Sequence, residues 1–67
     1  MENEQTYATL CAHYIAKAMY SDNPINPDLE MLEADIRQHA RTIGEAHIIR
    51  DRAMDFYYQL KANGECQ

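Results

Sequence analysis

From Leu29 to Leu60, apolar and small residues recur at steps of three and four or their multiples. Leu29, Leu32, Ile36, Ile43, Ala46, Ala53, Tyr57 and Leu60 trace the seam of a helix packed on other helices. A second stripe, Tyr7, Cys11, Tyr14 and Ala18, widened by Leu10, Ile15 and Met19, predicts a first helix over about residues 4–20. Alanines at 8, 12, 16 and 18 favour helix there and allow a neighbour to approach closely. Strict alternation, the mark of a half-buried strand, is absent, so the pattern predicts an all-α chain.

Ser21-Asp22-Asn23-Pro24 stops the first helix, because small polar residues favour turns and the residue before a proline is pushed out of the α region. With a loop over 21–26, the pattern restarts at Asn26 as N-cap and Pro27 at the first helical position, with Asp28 and Glu30 at the positive end of the helix dipole. One decision then fixes the architecture. Gly44 is a poor interior residue, and Thr42 with Glu45 has capping-box spacing, which allows a third helix to begin there. Against that, no run of loop residues flanks the position, and the seven-residue step from Ile36 to Ile43 continues the seam. The reading preferred on these grounds is a helical hairpin with a short N-terminal helix and a long, bent second helix over about 27–62, followed by a frayed tail at 63–67. The alternative is a three-helix bundle.

The preferred reading has a geometric consequence. A helix over 27–62 would be roughly 54 Å long and one over 4–20 roughly 25 Å, at about 1.5 Å per residue. Half of the longer helix would lack a partner. A homodimer with a four-helix arrangement covers it, through Ile43, Ala46, Ile49, Ala53, Phe56, Tyr57 and Leu60. His39 and Arg50, polar residues on the seam, would then set register and oligomeric state.

At 67 residues the chain is one domain, near the size at which a core needs help from association, metals or disulfides. Six Lys and Arg against 11 Asp and Glu give a net charge of −5, which opposes direct binding to nucleic acid or an anionic membrane. No stretch approaches the roughly 20 apolar residues of a bilayer crossing, and the N-terminus has no signal-peptide pattern. Cys11 and Cys66 form no CxxC and suit a reducing compartment, so a cytoplasmic protein is expected.

Candidate chemistry is sparse. The three histidines are 26 and 8 residues apart, whereas a helical metal pair needs spacing of three or four. Asp35 with His39 and His47 with Asp51 have i,i+4 spacing, which reads first as surface His–carboxylate pairs. Cys11 lies on the inward stripe and reads as a small hydrophobe, with His13 on another face. There is no phosphate loop, GxSxG, HExxH or zinc-finger spacing, and neither an enzyme nor a cofactor is expected. Phe56-Tyr57-Tyr58 cannot all face one core, so Tyr58 is expected at a partner-binding surface. Asp28 to Asp35 holds four acidic residues in eight positions, and Glu30, Glu33 and Asp35 are the expected partner contacts beside Tyr58. Basic residues gather instead at Arg37, Arg41, Arg50 and Arg52.

In size, helical hairpin layout and lack of catalytic motifs, the chain resembles the small accessory early-region proteins of lambda-like temperate phages. That resemblance implies an effector in the host cytoplasm that acts on a host protein during phage development. The leading functional expectation is a non-enzymatic protein–protein interaction module that modulates a partner protein. The runner-up is a transcriptional or nucleic-acid-associated regulator using the arginine face. A helix-turn-helix would want three helices and a basic recognition helix, and Glu45, Asp51 and Asp55 weigh against it.

Overall fold

The computed structural model describes residues 4–64, so Cys66 and the end of the expected tail lie outside the described residues. Three helices account for most of them: α1 Glu4–Asp22, α2 Leu29–His39 and α3 Ile43–Ala62, with no strand among the described residues. The all-α expectation holds. The long second helix does not form, because the chain leaves the helix at Ala40 and re-enters it at Ile43, which is the three-helix alternative.

The buried face of α1 is Ala8, Ala12, Ile15, Ala16 and Met19. This face is rotated from the expected stripe of Tyr7, Cys11, Tyr14 and Ala18. Tyr14 and Leu10 are exposed, at 66% and 56%. The reason is steric. Alanines at 8, 12 and 16, one helical turn apart, form a shallow track that lets another helix come close, and α3 presents Ile49, Ala53 and Tyr57 to it. Bulky Leu10 and Tyr14 would hold that helix away. The largest fully buried side chains, Tyr57, Ile15, Met19, Leu32 and Ile49, then fill the space the alanines leave. Each contributes about 1.5–3 kcal/mol of burial for a side chain of this size.

α1 and α3 run parallel. Tyr7 meets the turn before α3, Thr9 meets Arg52, His13 stacks on Phe56, and Tyr20 packs edge-on against Tyr57. Between them, α2 carries the chain back along the molecule. Its short length is made up by extended residues at each end, and it buries only Leu32 and Ile36.

The two connections explain where the boundaries fall. Asn23 Oδ1 accepts from the backbone N–H of Ile25 and of Asn26, so the loop closes on Asn23 and Asn26 does not cap. The cap of α2 is Asp28, whose Oδ1 accepts the Met31 N–H at 3.1 Å. The far end of α3 ties the loop down: the Tyr57 hydroxyl donates to the Asn23 carbonyl at 2.7 Å, and Lys61 Nζ donates to the Ile25 carbonyl at 2.6 Å. α3 itself stops at Asn63, with Gly64 at φ 61°, a left-handed conformation that glycine adopts without strain.

This arrangement removes the argument from which the homodimer was expected. Ile49, Ala53 and Tyr57 are fully buried inside one chain, and Ala46 and Phe56 pack partly buried against the same core. Leu60 is half-buried, and Ile43 is 79% exposed. The C-terminal half of the chain needs no second copy to cover it.

Because the α1–α3 contact depends on small residues, Ala12→Leu is expected to overpack it and cost about 1–3 kcal/mol, a fall in Tm of about 4 °C or more for a chain of this size. Leu10→Ala, on the exposed side of the same helix, should change stability by less than about 0.5 kcal/mol. Thermal unfolding followed by circular dichroism separates the two. A wild-type Tm for Ala12→Leu would show that the alanine track is not the contact surface.

Candidate functional site

The turn between α2 and α3 is built from the residues that break the helix. Thr42 is extended and its hydroxyl accepts the Glu45 N–H at 3.0 Å. The Glu45 carboxylate reaches back in turn, taking the Arg41 backbone N–H at 2.7 Å. Glu45 also holds the Arg41 guanidinium through Nε and Nη2, the latter at 2.6 Å. These bonds let a carboxylate that is only 2% exposed sit at the positive end of α3.

Arg41 in turn lies over the ring of Tyr7, its Cζ 3.7 Å from the ring centroid, and the Tyr7 hydroxyl donates to the His39 carbonyl at 2.9 Å. Tyr7, His39, Arg41, Thr42 and Glu45 thus join the start of α1 to both sides of the turn. The neighbouring Cys11 thiol, together with burial, pushes the Tyr7 hydroxyl above its ordinary pKa. The hydrogen bond from Arg41 holds the Glu45 carboxyl below the usual carboxylate range, against the opposing effect of burial.

Beside this turn, a shallow open groove runs between α2 and α3. Ile36, Ala40 and Ala46 lie along it, with Glu33, Arg37, Arg41, Thr42, Ile43 and Arg50 completing its lining. Arg50 crosses the groove to Glu33 through two bonds of 2.9 Å, Nε to Oε2 and Nη2 to Oε1. Both side chains remain partly exposed, at 40% and 43%. The Arg50 hydrogen bond lowers the Glu33 pKa, and Arg37 adds to this only through space. Arg37 makes no hydrogen bond or ion pair among the described residues.

The expected arginine face is therefore divided. Arg37, Arg41 and Arg50 converge on the groove, while Arg52 lies elsewhere, donating to the Thr9 hydroxyl at 2.9 Å beside α1. The acidic set is not gathered into one surface either. Glu30 and Glu33 border the same depression as Leu29 and Arg37, but Asp35, two residues beyond Glu33, faces another way. Tyr58 sits on α3, 49% exposed and edge-on to Tyr57. Of the two polar seam residues, Arg50 does bridge helices. His39 is half-buried, and its Nδ1 lies 2.9 Å from the Asp35 carbonyl, so the i,i+4 pair is made through the backbone and not the carboxylate. His13 stacks face to face on Phe56 at 3.8 Å, a contact between helices that spacing along the chain cannot reveal. Among the described residues, no three His, Cys, Asp or Glu side chains come close enough to share a metal ion.

Fold and site together define a small three-helix protein with a locally basic groove on an acidic body. The chain matches no family model, no curated protein and no solved structure.

The Glu45 cluster makes a pH prediction. A carboxyl whose pKa is lowered by folding adds stability at pH values above its unfolded pKa of about 4.3, and that contribution is lost as pH falls through the lower folded value. Wild-type protein should therefore lose stability progressively from about pH 5 downwards, and Glu45→Gln should flatten that slope. Thr42→Ala should cost about 1 kcal/mol at neutral pH through loss of the cap. Urea titrations across this range measure both. Equal acid sensitivity in wild type and Glu45→Gln would assign the effect to other carboxyls.

Proposed function

We propose that this chain is a non-enzymatic protein-interaction module that engages its partner on the α2–α3 face. The observation that carries this reading is the exposure of Ile43, at 79%, beside three arginines at the edge of a groove, in a chain whose core is already filled. An exposed aliphatic side chain bordered by guanidinium groups offers the apolar and arginine contacts that interfaces use. The groove is shallow and lined by no histidine or cysteine, which suits recognition better than acid–base or nucleophilic chemistry. In the setting implied by the likeness to phage accessory proteins, the partner would be a host protein. Among the described residues no helix is long and apolar enough to cross a membrane.

A second reading, a nucleic-acid-associated regulator, gains from the three-helix outcome. Residues 40–42 make a short turn, and the exposed start of α3 follows it. The net charge of −5, with Asp51 and Asp55 farther along α3, ranks it below protein binding.

Affinity capture with wild-type protein and with Ile43→Asp, Arg37→Glu and Tyr58→Asp tests the ranking. The proposal expects one partner to be lost with the first two substitutions and kept with the third, all three variants retaining helical circular dichroism. Loss with Tyr58→Asp alone would move the interface to the other side of α3. Tight, salt-sensitive binding of purified wild type to duplex DNA would favour the second reading.

A further inference from the structure

We infer that the occupant of the α2–α3 groove is an acidic peptide segment carrying at least one aliphatic side chain. The inference rests on the protein-binding reading above and specifies the partner's chemistry. Charge complementarity carries it. The chain as a whole is negative, yet the groove is lined by Arg37, Arg41 and Arg50, and with Glu33 on Arg50 and Glu45 on Arg41 it keeps a net positive charge at Arg37.

The donors are also available. Arg37 has no hydrogen-bonding partner among the described residues, and Arg50 uses only Nε and Nη2 on Glu33, which leaves Nη1 for a ligand. Carboxylates match these guanidinium forks, and beside them Ala40, Ile43 and Ala46, with Ile36 buried beneath, offer an apolar strip. A nucleic-acid backbone supplies the anions but no aliphatic group for Ile43. A long polyanion would also meet Glu30 and Glu33 on α2 and Asp51 on α3, and a short peptide seated between the arginines avoids much of that repulsion. Glu33 holds part of Arg50 in the free protein, so it competes with the incoming carboxylate.

The competition by Glu33 gives the inference a positive test. Fluorescence anisotropy is measured with a short labelled peptide rich in Glu and Leu, its Gln-for-Glu counterpart, and a duplex DNA of similar size. The acidic peptide should bind and the Gln peptide should not. Arg37→Glu should weaken binding about tenfold, with Arg37→Gln weakening it less, as expected for like-charge and neutral replacements. Arg37 makes no hydrogen bond that either substitution would break, and its through-space attraction to Glu33 is exposed and weak, so both variants should keep a Tm close to that of wild type. Glu33→Gln should strengthen binding about threefold, because it removes one carboxylate competing for Arg50.

Equal binding of both peptides, or insensitivity to the Arg37 and Glu33 substitutions, would overturn the inference. So would tighter binding to the duplex, or sedimentation showing that a second copy of the chain fills the groove. If the peptide fails but Ile43→Asp and Arg37→Glu still release a captured protein partner, the acidic-ligand inference alone is wrong. If those variants keep the partner, the placement of the interface fails as well.

Discussion

The fold depends on the carboxylate of Glu45 at the start of α3. Thr42, Arg41 and Glu45 close a three-residue turn by satisfying backbone N–H groups that a helix start would otherwise leave unpaired. Once the chain turns there, α3 lies parallel to α1 and its apolar stripe meets the alanine track instead of extending into solvent. Arg41 completes the arrangement from above, held against Tyr7 and Glu45 at once. Removing the turn would re-create the long uncovered helix and, with it, the need for a second copy.

The same turn creates the candidate site. It places Arg41 and Ile43 at the end of the α2–α3 groove, while Arg50 pairs with Glu33 across it. The pair is partly exposed, where such bridges contribute little to stability. Its value to the fold is small, which leaves Arg50 free to exchange partners. Ile43 shows the same division of labour: it has left the core and is the most exposed of the large hydrophobic residues described.

Helical content, the first helix and its end at the Asn23-Pro24 segment were legible from spacing and turn chemistry alone. The break at 40–42 was legible only as an alternative. The continuing heptad from Ile36 to Ile43 points one way and the Thr42–Glu45 box the other, and the box prevails because Glu45 also captures the Arg41 guanidinium and the Arg41 backbone N–H. Hydrophobicity marks Leu10 and Tyr14 as the inward face of α1, whereas helix contact rewards the small residues Ala8, Ala12 and Ala16. Asp28 and not Asn26 is the cap because α2 begins only at Leu29, two residues later than expected, after the loop has closed on Asn23. For the site, the arginines were visible as a set, but their division into three at a groove and Arg52 elsewhere follows only from how the helices turn. Spacing along the chain gathers the acidic run into one segment, yet Asp28 caps a helix, Glu33 pairs with Arg50, and Asp35 lies outside the depression that Glu30 and Glu33 border.

The claim that one chain closes its own core by turning at residues 40–42 is tested most directly by proton–proton contacts in solution. In a sample mixing isotope-labelled and unlabelled protein, contacts between His13 and Phe56 should appear within single molecules and not between them. The sequential helical pattern should be interrupted from Ala40 to Thr42. An unbroken helical pattern through those residues, with the His13–Phe56 contacts seen only between labelled and unlabelled chains, would contradict the account.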